Sequence, residues 1–304
     1  MRGLTTLYSS RSLHNYIQWY FGNLCNASCS YCLNAWTLEH YQRNMTLDES
    51  MKTVEFVNSV PGVYHVSMIG GEPSLFDHCL WAAERIRKPV VSILTNGLDA
   101  DFVRRFMRLG VRGHQVIVCM SLHYELYLAN PNAYTKSIDA VVDAVEGNPF
   151  VRLEVTPLLD GVKSAEYSKL LEKVVDEHAE RGYHVNVSYV RRSYDAAEFV
   201  RSYAAVNLLP EHIRPFVRKR LAAERLDVLR PSPFFGKPCP MFDHYLYIDI
   251  DGTLRSSDCP QAVRSAKSIF ADNFDLSEVR RSCQCAQRHA KNNSSCELVH
   301  GLFK

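Results

Sequence analysis

Apolar residues recur along the chain in two alternating rhythms. Short runs in which they crowd together or fall at every second position, the period of a strand, occupy 15–22, 63–69, 90–95, 115–121, 151–157 and 183–190. Between them, apolar positions three and four apart predict helices over 47–60, 76–87, 99–109, 132–147 and 164–181. Each is long enough to carry the chain from one parallel strand to the next. Thr46-Leu47-Asp48-Glu49 has the form of a capping box, and the helix it opens continues through Met51, Val54 and Val57. Six apolar strands alternating with helices predict an α/β fold, with a parallel sheet covered by helices.

The rhythm changes after Asn207. A strongly charged helical stretch runs from Leu209 to Val228, and Arg230 to Pro238 is rich in proline and reads as a linker. Tyr245 to Ile250 then alternates, turns at Asp251-Gly252 and returns through Thr253-Leu254-Arg255, the signature of a hairpin. A helical pattern lies near 275–282. The expected division is a large unit over 1–207, a helical linker over 208–236 and a small module over 237–304.

Composition changes this picture little. With 35 basic and 33 acidic residues the chain has no charge excess that calls for a nucleic-acid partner. It has no apolar run of about 18 residues, so no membrane partner is expected. Met1 to Ser12 is polar and unlike a signal peptide, which points to the cytoplasm. In such a compartment ten cysteines in clustered spacings suggest metal ligation rather than disulfides.

The densest chemistry is Cys25-Asn26-Ala27-Ser28-Cys29-Ser30-Tyr31-Cys32. Three thiols on one loop can bind one metal centre, yet they are one ligand short of a closed tetrahedral zinc site or a fully ligated four-iron cluster. A 4Fe-4S cluster held this way keeps one iron open for another ligand. A zinc knuckle or buried thiols are the plainer alternatives. A second motif lies where Val63 to Ile69, read as a buried strand, runs into Gly70-Gly71-Glu72-Pro73.

The spacing CxxxCxxC with Tyr31 before its last cysteine, followed by a GGEP segment at the end of the second strand, resembles the radical S-adenosylmethionine (SAM) superfamily. The resemblance implies a partial (β/α)6 barrel with its chemistry at the C-terminal ends of the strands, where both motifs sit. It implies that Cys25, Cys29 and Cys32 hold a 4Fe-4S cluster whose open iron is chelated by SAM, while the backbone of Gly70, Gly71, Glu72 and Pro73 recognises the SAM amine. Electrons from an external donor such as flavodoxin or ferredoxin then cleave SAM to a 5'-deoxyadenosyl radical, which abstracts hydrogen from an unactivated carbon. On that reading, a side chain added at Gly71 weakens SAM binding and spares the iron, and Glu72 has no purpose in a non-catalytic scaffold.

Other strand ends carry weaker signals. Thr95-Asn96-Gly97 is either a turn or a cofactor contact, and Ser121 sits where related enzymes often place a polar side chain near SAM. Arg152, Glu154 and Thr156 share one face of strand five, and they contact cofactor or substrate if that face points into the barrel. Arg191 and Arg192 could hold a carboxylate or lie in solvent. His65, Cys79 and Cys119 read as packing residues.

Five cysteines surround the hairpin: Cys239, Cys259, Cys283, Cys285 and Cys296. They resemble the twitch or SPASM extension of radical SAM enzymes, which carries auxiliary clusters. The match is partial, because six residues separate Gly252 from Cys259 and a CxC, Cys283-Gln284-Cys285, replaces the usual CxxC run. Five thiols argue for one auxiliary 4Fe-4S cluster with one thiol over, and zinc on four of them is the alternative. The spare thiol, one of Cys283, Cys285 and Cys296, could serve an epimerase as hydrogen donor. An auxiliary cluster taking the second electron would instead suit a dehydrogenase or crosslinking maturase, and a non-catalytic iron-sulfur or zinc scaffold is the third reading. The substrate is a small molecule or a peptide. With only a short segment ahead of the cysteine loop, protein modification has less support than in members with a separate peptide-binding domain there.

Overall fold

A computed structural model describes residues 15–29, 32, 43–145, 151–157, 245–255 and 264–277, with isolated positions 169, 172, 173, 176, 180, 211 and 279. The expected strand over 183–190, the helices over 164–181 and 209–228, the linker, Arg191, Arg192 and all five C-terminal cysteines lie wholly or largely outside these residues.

Five strands follow the predicted rhythm closely: β1 (Asn15–Tyr20), β2 (Tyr64–Ile69), β3 (Val90–Thr95), β4 (Gln115–Leu122) and β5 (Val151–Pro157). They are joined by α1 (Leu47–Ser59), α2 (Asp77–Ala83), α3 (Ala100–Val111), α4 (Tyr124–Ala129) and α5 (Pro131–Val145). β1 to β5 pair in parallel with their neighbours in sequence. The hairpin expected near 250 forms from β6 (Tyr245–Ile248) and β7 (Thr253–Arg255), and β8 (Arg264–Ser268) follows. β6 runs parallel to the free side of β1, so one open sheet of eight strands results, in the order β5-β4-β3-β2-β1-β6-β7-β8. This is the mixed α/β architecture of a partial barrel, with its sheet not closed.

Two details differ from expectation. α2 stops at Ala83, short of the predicted 87, because its last turn tightens onto Leu80 and Ala82 at Glu84 and the chain meets Pro89 five residues on. α4 was not legible as a separate helix. It is one six-residue turn between His123 and Asn130, broken from α5 by Pro131.

The pleat gives the sheet two unlike faces. Ile17, Trp19, Val66, Met68, Val91, Ile93, Val116, Val118, Met120, Leu246 and Ile248 are buried and pack against the helices. α3 supplies Phe102, Val103 and Phe106 to the same core, and α5 supplies Ile138 and Val141. In the strand register the alternate positions carry Tyr16, Gln18, Tyr20, His65, Ser67, Ser92, Cys119, Ser121, Tyr245, Tyr247 and Arg255. That face also carries Ile69, Val90, Leu94 and Ile117, yet it is far richer in polar and aromatic side chains than the helix face. A sheet that spent this face on stability alone would fill it with branched apolar residues, so its polarity marks a ligand surface.

Candidate active site at the strand ends

Both motifs leave the sheet at its C-terminal edge, from adjacent strands. Tyr20 and Ile69, the last residues of β1 and β2, are register partners. Beyond them the two loops are stitched together by backbone: Phe21 N–H donates to Ile69 O (2.9 Å), Gly71 N–H to Gly22 O (2.7 Å) and Glu72 N–H to Leu24 O (2.8 Å). The GGEP segment therefore prolongs the β1–β2 ladder up to the residue before Cys25. A Cβ on Gly71 would lie 2.2 Å from Leu24 O and 2.7 Å from Asn23 O, so glycine is required for this approach. Against the expectation that a side chain at Gly71 would spare the iron, these contacts put the cysteine loop in its way.

Glu72 is almost fully buried, at 1% exposure. Its carboxylate accepts from Thr95 Oγ1 (2.8 Å), Asn96 N–H (2.8 Å) and Ser74 N–H (3.2 Å). Burial raises its pKa, and these donors oppose that rise. The side chain ties the end of β2 to the end of β3, so it has a structural purpose after all. Its presence alone does not argue against a scaffold.

The same network shapes the β3 loop. Thr95 is buried, and its hydroxyl also accepts from Gly97 N–H (3.2 Å). Gly97 has φ +73° and packs against Met120 and Ile138, which makes it the turn residue. Asn96 reaches the cysteine loop, its Nδ2 donating to Asn26 Oδ1 at 2.7 Å. The link between Asn96 and Asn26 was missed in sequence. The only signal was that Asn96 sits in a turn tripeptide beside the barrel mouth.

The loop itself presents Cys25 exposed and Cys29 and Cys32 partly buried. Ala27 N–H donates to Cys25 Sγ (3.4 Å), while burial raises the pKa of this thiol against that bond. Cys29 Sγ lies 3.6 Å from His123 Nδ1. Burial holds His123 neutral by pushing its pKa down to about 4, and Tyr134 OH anchors its backbone N–H at 2.6 Å. At the other side Tyr20 OH bonds Asn23 Oδ1.

Among the described residues, no three His, Cys, Asp or Glu side chains converge on a single ion. An iron-sulfur cube takes one thiolate per iron, so the donor set of Cys25, Cys29 and Cys32 fits a 4Fe-4S cluster with one iron left open.

Ser121 lies at the end of β4, 9% exposed, on the inner face. Arg152, Glu154 and Thr156 are register partners of Ile117, Cys119 and Ser121, which puts their positions on that same face rather than the helix side. Cys119 is corrected from core to inner face: it is only partly buried and lies outside the apolar cluster. The apolar run Val116 to Met120 hid the alternation. Cys79 is a core residue as expected, and half-buried His65 bonds Ser92 Oγ (2.7 Å) and meets the Tyr16 ring edge-on.

No curated protein matches the chain in sequence. Residues 19–147, from β1 to the end of α5, match the family described as the Radical SAM superfamily. Among solved structures, Streptococcus suis SuiB bound to S-adenosylmethionine is similar at a TM-score of 0.53 and 16% identity, over 94% of this chain and 69% of that one. SuiB bound to its precursor peptide SuiA gives a TM-score of 0.55 at 16% identity, over 89% of this chain and 65% of SuiB. The structure of anSMEcpe with bound AdoMet and the Kp18Cys peptide gives 0.50 at 14% identity, over 95% of this chain and 96% of that one. At these identities the likeness shows the fold. Among the described residues no helix is long and apolar enough to cross a membrane. The three-cysteine loop and the GGEP segment bonded to it both lie within residues 19–147, the stretch that matches the Radical SAM superfamily, and the fold around them is that of radical SAM structures.

Proposed function

We propose that this chain reductively cleaves SAM and uses the resulting radical to remove a hydrogen atom from an unactivated carbon of a peptide or other small substrate held on the inner face of the sheet. The observation that carries this reading is the direct bonding of the GGEP backbone to the three-cysteine loop, through Gly71 N–H to Gly22 O and Glu72 N–H to Leu24 O. Cys25, Cys29 and Cys32 would hold a 4Fe-4S cluster. When bound, the cluster and SAM supply an electron, a carbon–sulfur cleavage and a 5'-deoxyadenosyl radical. The chain's own residues bind and orient. An ammonium donates hydrogen bonds, so carbonyl oxygens of Gly70 to Pro73 suit it, the N–H groups of Gly71 and Glu72 being committed to the loop. Thr95 acts through Glu72, whereas Ser121, with Arg152 and Glu154 on the neighbouring strand, sits where it can contact SAM or substrate directly.

A peptide substrate is favoured over other small molecules because the similar structures SuiB and anSMEcpe are complexes with peptides. The C-terminal twitch or SPASM-like module, with one auxiliary 4Fe-4S cluster on Cys239, Cys259 and two of Cys283, Cys285 and Cys296, remains part of this reading. So do an external flavodoxin or ferredoxin and the unit boundaries near 207 and 237. Epimerisation takes precedence, with a thiol returning hydrogen from the far face. The inner-face position of Cys119 adds it to the candidate donors. Oxidation or crosslinking, with the auxiliary cluster accepting the second electron, is the alternative.

The test is anaerobic incubation of the reconstituted protein with SAM, dithionite and candidate peptides in heavy water, followed by mass spectrometry. Formation of 5'-deoxyadenosine, abolished by joint replacement of Cys25, Cys29 and Cys32 with Ala, is the expected result. One solvent deuterium with no loss of hydrogen means epimerisation, and loss of two hydrogens means oxidation. A triple variant that still makes 5'-deoxyadenosine would sink the assignment.

A further inference from the structure

We propose that His123, just past the C-terminal end of β4, is a positioning residue for Cys29: its Nδ1–H donates to the Cys29 sulfur and so sets the potential at which the three-cysteine cluster takes up its electron. This rests on the reading above that Cys29 ligates that cluster. Cys29 Sγ and His123 Nδ1 lie 3.6 Å apart although 94 positions separate them in the chain, a hydrogen-bond distance where one atom is sulfur.

The ring has left its local task to make this contact. His123 is the N-cap of α4, a position where Ser, Thr, Asp or Asn would turn a side-chain oxygen back onto the N–H groups of the first turn. It makes no such bond. Its backbone, by contrast, is fixed from both sides, because its N–H donates to Tyr134 OH at 2.6 Å and its C=O accepts from Tyr127 N–H at 3.1 Å. Tyr134 is 2% exposed on α5 and meets the Tyr127 ring edge-on. An anchored main chain therefore carries the imidazole to the cysteine loop, while the first turn of α4 goes without a side-chain cap.

The chemistry fixes the direction of the bond. A cysteine that ligates iron does so as the thiolate, so the proton shared by this pair sits on Nδ1. An N–H aimed at a ligating sulfur draws charge from it and favours the cluster with one more electron, which is how hydrogen bonds to sulfur tune such centres. The placement agrees. Three neighbouring strands each reach the loop from their C-terminal ends: β2 through Glu72 N–H to Leu24 O, β3 through Asn96 to Asn26, and β4 through His123 to Cys29. Of these three contacts, only that of His123 falls on a ligand sulfur.

The test uses the full chain, reconstituted anaerobically, in a redox titration followed by electron paramagnetic resonance. The signal of the three-cysteine cluster is the one that changes when SAM is added. His123→Leu should shift its reduction equilibrium roughly tenfold toward the oxidised form, which for one electron lowers the potential by about 59 mV. His123→Asn, whose amide N–H can stand near the place of Nδ1, should keep the wild-type potential. Iron per chain reports loading in each variant. If His123→Leu does not load, Tyr134→Phe, which releases the His123 backbone, decides by a smaller shift in the same direction. An unchanged potential in the variant that decides would overturn the proposal, and so would equal shifts in His123→Leu and His123→Asn, the mark of altered packing. Either result on a wild type with a SAM-responsive signal removes this role alone, whereas a wild type without such a signal removes the radical reading with it.

Discussion

Replacing Gly71 by Ala adds one methyl group where the GGEP segment touches the cysteine loop. That carbon would sit 2.2 Å from Leu24 O, 2.6 Å from Leu24 C and 2.7 Å from Asn23 O. Ordinary carbon contacts begin near about 3.5 Å, so backbone must retreat by about 1 Å. No flexible side chain can absorb the shift, because every atom met is main chain. Retreat strains the bonds from Gly71 N–H to Gly22 O and from Glu72 N–H to Leu24 O, each worth about 0.5–1.5 kcal/mol net. Overpacking adds about 1–3 kcal/mol, for a total of roughly 2–6 kcal/mol concentrated on the residue before Cys25. Gly70→Ala is the internal control. Its Cβ would meet Gly22 O at 3.0 Å and Phe76 Cε2 at 3.3 Å, a clash that a few tenths of an ångström relieves. The assay is iron per chain after anaerobic reconstitution, measured beside the denaturant midpoint. Gly71→Ala should lose both stability and the iron bound by Cys25, Cys29 and Cys32, and Gly70→Ala should lose little of either. Full iron and full stability in Gly71→Ala, with SAM binding alone impaired, would refute this reasoning and restore a purely cofactor-facing role for the glycine.

Glu72→Gln should cost about 1–3 kcal/mol, because an amide must turn an N–H toward one of the three donors that the carboxylate now accepts, leaving a buried donor unmet. Urea unfolding checks it, and wild-type stability would mean that the β2–β3 tie carries nothing. Thr46→Ala should cost about 1 kcal/mol by removing the N-cap of α1. Glu49→Ala should cost at least as much in the same assay, since Glu49 closes the capping box and also holds Arg43 at 2.7 Å.

The strands were legible because a parallel strand covered on its helix face leaves a dense apolar run, and β3 appears at the predicted residues. The capping box at Thr46 was legible because its chemistry is local: Glu49 N–H reaches Thr46 Oγ1, and Thr46 N–H reaches Glu49 Oε2. What escaped was non-local. Asn26 and Asn96 lie seventy positions apart in the chain and meet only once β1 and β3 are fixed in register. Cys119 looked like core because its inner-face neighbour Ile117 is apolar too, so a period-two reading of Val116 to Met120 shows no polar face.

The parallel pairing of β6 with β1 has the largest consequence for the site. Without it β1 would be an edge strand, with one side of its ladder open and its C-terminal end free to fray into the cysteine loop. With it, β1 is held by β2 on one side and β6 on the other, up to Trp19 and Ile248. The loop beyond β1 is then gripped from both ends. Gly71 and Glu72 hold its first residues, while Arg43, just after it, donates to Ile250 O at 3.0 Å in the hairpin turn. Met45 N–H returns to Phe21 O (2.8 Å), closing the base of the loop. Residues more than two hundred positions downstream therefore brace the loop that carries Cys25, Cys29 and Cys32. The C-terminal hairpin is part of the site's foundation, whatever its cysteines bind.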